Sequence, residues 1–435
     1  RFSDPEPHPG WADERDASTH GATCPSSNMI PNESEDCLFL NVYTPLSPAG
    51  GNRPVLVFIH GGGYSAGFGD EGLYGSQYFM TEDVVVVTFN YRLGVLGFFS
   101  TGDRAAAGNW GLKDCIMALR WVQDHIAAFG GDAGSVTIYG ESAGAAIIHL
   151  LLISPLTGGL FHRAIASSGS PFNSWAFQPN PVHYAKRLVE ALDLETTDTT
   201  AMVAALRLVP YSALIAQQEK VFASATVPLL GPVDFGPVVE PPDAPGLIVL
   251  PRTPMELIED GAYQTVPLLT GFNDLESILF IVREDFTPNL YDSFNANPHY
   301  LVPMAWNISE GSTAANAISN AFAQFYWQGQ MLGPELLEQF SWYMTDAMFA
   351  IGVLEMAKLH STRTPVYVYH FTYDGDLNLY KKPLGVSIPG AVHADETCYL
   401  FDTKTFVTEP TPAASHALTV RQRMLRLWSN FAKYG

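Results

Sequence analysis

The stretch "TIYGESAGAAIIH", from Thr137 to His149, constrains the chain more tightly than any other. A β-branched and aromatic run, suited to a strand, stops at Gly140. Glu141, Ser142, Ala143 and Gly144 follow, and then an apolar run without turn formers, suited to a buried helix. Small residues at Gly140 and Gly144 permit the tight bend between them. Gly-x-Ser-x-Gly in that setting is a nucleophile elbow, which lifts a serine hydroxyl above a sheet. A second match, Gly63-Tyr64-Ser65-Ala66-Gly67, also follows a strand-like run. It leads into "AGFGDEGLYG", too rich in glycine to start a helix. Context therefore selects Ser142 over Ser65.

Strand-like runs recur as "LFLNVYT", "PVLVFIH", "DVVVVTFNY", "SVTIY", "RAIASSG", "VPLLTGF" and "PVYVYHFTY". Several are apolar throughout, as strands covered on both faces must be. Helical patterns lie between many of them. In "NWGLKDCIMALRWVQDHIAAFGG" the apolar residues fall at helical spacing, Asn109 is a candidate cap, and Gly130-Gly131 ends the helix. The alternation predicts an α/β class with a large, mixed, mostly parallel central sheet and helices on both faces. Helical segments near 180–220 and 310–360 are expected as insertions above the sheet. No repeat or linker interrupts residues 1–435, which are expected to form a single domain.

Composition narrows the partners. The net charge of −21 repels phosphate backbones and anionic membranes, which argues against nucleic-acid binding. The longest apolar runs are too short to span a bilayer. Cys24 and Cys37 could close a small loop, while Cys115 and Cys398 read as buried thiols. Four such cysteines are not a zinc pattern, and no metal or cofactor is expected. Sequons at Asn32 and Asn307, taken with a disulfide, favour a secretory route over a cytoplasmic one. The chain opens on Arg1 and closes on "FAKYG", which read as trimmed ends that carry no targeting information.

A serine needs a base, and the base needs an orienting carboxylate. Among the later histidines, His370 lies inside a strand, and His360 and His416 lie in helical runs. His393, in "IPGAVHADE", occupies a loop past a strand, where a catalytic base belongs. The acid should follow a strand between Ser142 and His393. "VPLLTGFNDLES" offers Asp274 and Glu276, and residue chemistry alone does not separate them. "HGGG" at His60–Gly63 can aim bare amides at a developing oxyanion, and the N–H of Ala143 would complete the set. A dinucleotide loop at Gly61-x-Gly63-x-x-Ala66 fails, because no helix begins there to receive a pyrophosphate.

The chain resembles the carboxylesterase/cholinesterase family of α/β-hydrolases over nearly its whole length, most of all the insect α-esterase type. The resemblance rests on "SEDCLFLNVYTP", "FIHGGGYSAG", "NYRLGVLGFFS", "GNWGLKD", "WVQDHIAAFGGD", "GESAGA", "GLFHRAIASSGS" and "GAVHADETCYLF". It implies an α/β-hydrolase fold with Ser142 as nucleophile, Glu276 as acid and His393 as base. The implied oxyanion donors are Gly62, Gly63 and Ala143. Trp175 matches an acyl-pocket tryptophan, and Glu141 an acid that helps place water. Leu279 and Phe280 match substrate-binding positions. The resemblance also implies a Cys24–Cys37 disulfide with an Arg15–Glu35 ion pair beside it. Two features depart from cholinesterases. Ser27 stands where a choline-facing tryptophan would be, and bulky acyl-pocket phenylalanines are replaced near Gly231 and Val233.

The expected activity is serine carboxylester hydrolysis of a small-molecule ester through an acyl-enzyme. The rival is a non-catalytic adhesion or recognition relative, since the same fold hosts both. Such relatives typically lack a triad member, and all three are present here. A specialised hormone or odorant esterase is a narrower version of the first expectation. Oligomeric state does not follow from the sequence.

Overall fold

The computed structural model describes residues 1–27, 32–46, 52–223, 230–261, 263–282, 289–306, 308–404 and 414–435. The expected strands all form: β1 (Leu40–Tyr43), β2 (Arg53–Ile59), β3 (Val85–Phe89), β4 (Gly131–Glu141), β5 (Arg163–Ser167), β6 (Leu268–Asn273) and β7 (Val366–Phe371). They make a seven-stranded sheet in the order β1-β3-β2-β4-β5-β6-β7. β1 runs antiparallel to β3, and every other pairing is parallel.

Side chains alternate across a strand, so each strand feeds two cores. Val55, Val57, Ile59, Val136 and Ile138 enter one apolar cluster. Leu56, Phe58 and Tyr139 enter the other. The first face is covered by the helices Trp110–His125 and Ala143–Ile153, and the second by the helix His416–Tyr434. Sandwiched strands have no solvated face to mark with polar residues, which explains their continuous apolar runs. β7 is the exception. It is an edge strand, and its Tyr367, Val368 and His370 are exposed.

The expected insertions appear as the helices Pro181–Ala191, Thr199–Leu208 and Tyr211–Ala223, and as Thr313–Trp327, Leu337–Thr345 and Ile351–Ser361. A π-turn at Asp346–Ala350 joins the last two. No single helix among the described residues is long and apolar enough to cross a membrane.

Asn109 precedes the helix Trp110–His125, as expected, but its side chain does not cap it. Its amide donates to Val238 O and Glu240 Oε2, and its backbone is left-handed at φ +59°. A tertiary partner has outbid the local one. Gly130 does end this segment, with φ +80°. Cys24 and Cys37 are bonded, and Cys115 and Cys398 are buried thiols. Glu35 pairs with Arg1 rather than Arg15. Arg15 instead lies over the Trp11 ring at 5.3 Å, on an exposed segment. Asn32 is exposed within the disulfide loop, and Asn307 lies outside the described residues.

Candidate active site

β4 ends at Glu141 and the helix starts at Ala143, so Ser142 alone makes the bend. Its backbone is strained, at φ 58° and ψ −123°. Two hydrogen bonds hold it there: its N–H donates to Ser167 O at 2.8 Å, and its carbonyl accepts from Ala146 N at 3.0 Å. The flanking glycines are obligatory. A Cβ on Gly140 would collide with Gly144 O, and one on Gly144 with Ile59 O. Ser65 has no such setting. It is half-buried, and its hydroxyl reaches Gly62 O at 3.5 Å.

The chain brings three distant side chains to the bend. His393 Nε2 lies 2.8 Å from Ser142 Oγ, and Glu276 Oε2 lies 2.5 Å from His393 Nδ1. With the proton on Nδ1, the ring donates to Glu276 and accepts from the serine hydroxyl. Glu276 is fully buried. Its other oxygen accepts from Asn273 N at 2.7 Å and from Ser168 Oγ. Asp274 goes elsewhere, accepting from Ala391 N at 2.8 Å. Geometry thus separates the two carboxylates that residue chemistry left open.

Glu141 Oε1 lies 3.2 Å from His393 Nε2 and makes no hydrogen bond among the described residues. Glu396 sits nearby, its Oε2 accepting from Asn273 Nδ2 at 2.6 Å. One imidazole therefore faces several buried carboxylates. Burial opposes the charge on His393, but Glu141 and Glu276 outweigh it and raise its pKa above the ordinary histidine value. Glu141 is itself raised, by burial first, with His393 pulling the other way. Burial and the neighbouring carboxylates push Glu396 well up.

Gly62 and Gly63 turn the loop after β2 at φ +108° and +59°. Ser65 N and Ala66 N close the turn onto Gly62 O at 3.1 and 3.0 Å. The N–H groups of Gly62 and Gly63 donate to no described residue. The N–H of Ala143 opens a helix and has no partner within it. All three amides are available to an anion, and the helix dipole favours one at that end.

Aromatic rings wall the site. Phe349 lies 4.8 Å from the His393 ring and Phe280 lies 5.5 Å from it. Trp175 is 5.8 Å from Phe349, and its indole N–H donates to Met348 O at 2.9 Å. Leu279 is half-buried on the short helix Ile278–Ile281. Gly231 is buried, and Val233 packs against the cluster that holds Trp175. Ser27 N donates to Ser65 O at 3.2 Å, which puts Ser27 beside the glycine loop.

Sequence reasoning missed Ser168, Asn273, Phe349 and Glu396. Glu396 follows His393 closely enough that proximity could have flagged it. Phe349 sits in the π-turn, which shifts the helical register that a periodicity argument relies on.

A carboxylesterase family model matches residues 1–435. Bile salt-activated lipase of Rattus norvegicus is 32% identical over 451 aligned residues, covering 100% of this chain and 71% of that protein. Esterase FE4 of Myzus persicae is 33% identical, covering 100% and 78%. Among solved structures, juvenile hormone esterase of Manduca sexta, with OTFP covalently attached, superposes with a TM-score of 0.88. It is 31% identical, covering 100% of this chain and 83% of that one. By sequence and by its α/β-hydrolase fold, the chain belongs to the carboxylesterase family, and its esterase relatives mark it as a carboxylic-ester hydrolase.

Proposed function

We propose that the chain is a serine carboxylester hydrolase that works through an acyl-enzyme. The observation that carries this is the unbroken relay Ser142–His393–Glu276 at 2.8 and 2.5 Å. Ser142 Oγ attacks the ester carbonyl while His393 Nε2 takes its proton. The N–H groups of Gly62, Gly63 and Ala143 receive the oxyanion. His393 then gives the proton to the leaving alcohol, and Ser142 remains acylated. Water, activated by the same imidazole, releases the acid. Glu276 fixes the ring and stabilises its charged form. Glu141 lies close enough to His393 to help place that water. Residues 1–435 act as one domain, and the Cys24–Cys37 disulfide and the exposed Asn32 sequon favour a secretory compartment. The test is rapid mixing with a p-nitrophenyl ester. A burst of nitrophenol, one per chain, supports the acyl-enzyme; a burst that survives in Ser142→Ala contradicts it.

The carboxylates around His393 set its pH dependence. General-base action needs the neutral ring, so kcat/KM should rise with pH as the cluster loses its proton. Glu141 stabilises the imidazolium. Glu141→Gln should therefore lower the pKa of His393 and move the acid limb to lower pH. A limb that moves to higher pH contradicts this assignment.

Substrate choice follows from the walls. Ser27 offers no aromatic face for a quaternary ammonium, while Trp175, Phe280 and Phe349 offer apolar surface. Each buried methylene contributes about 0.8 kcal/mol, or about fourfold in kcat/KM. Neutral alkyl and aryl esters should improve with acyl length to an optimum beyond acetate. Acetylthiocholine outperforming a neutral butyrate ester of similar leaving group would overturn this preference.

A further inference from the structure

The segment Gly390–His393 that carries the base is neither helix nor strand. Its backbone groups must still find partners, because an irregular segment this deeply buried has no water to satisfy them. Gly390 O accepts from Lys381 Nζ at 2.9 Å, and Lys381 is itself paired with Asp374 at 2.6 Å. Ala391 N donates to Asp274 Oδ1 at 2.8 Å, and Ala391 O accepts from Leu275 N at 3.0 Å. Val392 N donates to Asp395 Oδ2 at 2.9 Å, and Val392 O accepts from Asn273 Nδ2 at 2.8 Å. Leu275 and Val392 pair as a parallel bridge. The segment that carries Glu276 and the segment that carries His393 are thus fastened side by side just before each of these residues.

Asp274 is the side chain that makes this fastening specific. Gly390 has φ +132°, and a Cβ there would lie 2.6 Å from Asp274 Oδ2. The carboxylate occupies the space that the glycine leaves open. Both oxygens line this gap, and Oδ1 also accepts from the next peptide N–H. Asp274 touches neither the ring of His393 nor Ser142 through any described hydrogen bond, and the main groups that set the pKa of His393 are Glu141, Glu276 and Glu396.

We infer that Asp274 is a positioning residue for the base: through Ala391 N–H and the gap at Gly390 it sets where His393 stands relative to Glu276 and Ser142. This rests on the reading of His393 as the general base. A hydrogen-bond acceptor is required, and a charge is not. Removing the acceptor frees the base segment to shift, and a displacement of about 1 Å costs on the order of a hundredfold in turnover. KM should change little, since Asp274 does not face the substrate.

The experiment compares Asp274→Ala, Asp274→Asn and Gly390→Ala in the full chain, reading kcat, KM and the pH profile on one neutral ester. Asp274→Ala should lower kcat by about ten- to a hundredfold with KM nearly unchanged. Asp274→Asn, which keeps an oxygen for Ala391 N–H, should restore most of kcat and leave the acid limb where it is. Gly390→Ala, which crowds Asp274 and Leu275 together and strains a backbone at φ +132°, should also lower kcat. If Asp274→Ala fails to fold, Asp274→Leu, which keeps side-chain bulk but removes the acceptor, takes its place in the comparison with Asp274→Asn. Wild-type turnover in Asp274→Ala overturns the inference. So does an Asp274→Asn variant as slow as Asp274→Ala with its acid limb moved to lower pH, which would make Asp274 the triad acid. Failure of the base assignment itself looks different: His393→Ala would then keep wild-type activity.

Discussion

Ser142→Ala is expected to lower kcat by about a millionfold, the scale seen when a triad serine is removed. The reason lies in the bend. Ser142 is the single residue between a strand and a helix, held at a strained backbone angle by two hydrogen bonds and by glycines that admit no Cβ. That strain aims one hydroxyl at one imidazole, 2.8 Å away. No other described hydroxyl bonds to His393 Nε2. Alanine fits the same backbone, so the fold should survive while the nucleophile is lost. Binding and the three amides remain, so some residual catalysis over water should persist. Ser65→Ala serves as the control and should leave kcat within a fewfold, because the Ser65 hydroxyl faces its own loop. Steady-state kinetics on a p-nitrophenyl ester checks both variants. A Ser142→Ala enzyme with a tenth of wild-type turnover would rule out the mechanism.

Glu276→Gln should cost about ten-thousandfold in kcat while leaving the fold intact. The carboxylate is fully buried, 2.5 Å from Nδ1, and with the proton on Nδ1 it leaves Nε2 free to accept from serine. An amide of the same shape can offer N–H to the ring, favour the other tautomer and place the proton on the wrong nitrogen. It also withdraws the charge that stabilises the imidazolium in the transition state. Glu141 and Glu396 do not substitute. Glu141 lies on the Nε2 side, and Glu396 bonds to Asn273. The acid limb of the pH profile should also move to lower pH, since Glu276 is one of the groups that raise the pKa of His393. A Glu276→Gln enzyme within tenfold of wild type would mean that another carboxylate orients the ring.

Much of this could be read in the residues because it is local or enforced by burial. The strands announced themselves as apolar runs, since both faces of the sheet are covered. The elbow was legible because strand, bend and helix are contiguous in sequence. The choice between Asp274 and Glu276 was not legible in residue chemistry and came only from the family resemblance. Both follow the end of β6 closely, and their division of labour depends on a segment more than a hundred residues later. Ser168 was hidden for the same reason, because its role is visible only once β5 lies between β4 and β6. Phe349 reaches His393 from a π-turn, which no helical period anticipates. Asn109 and Arg15 mark the opposite failure. One has the right residue type for a cap and the other the right match for an ion pair, yet tertiary partners, Glu240 for Asn109 and Arg1 for Glu35, displaced the expected contacts.

The most direct measurement is peptide mapping after reaction with a fluorophosphonate, which phosphonylates activated serines. One adduct per chain is expected, on the peptide that contains Ser142, abolished in both Ser142→Ala and His393→Ala. An adduct on the Ser65 peptide, or no adduct at all in a folded chain, would contradict it.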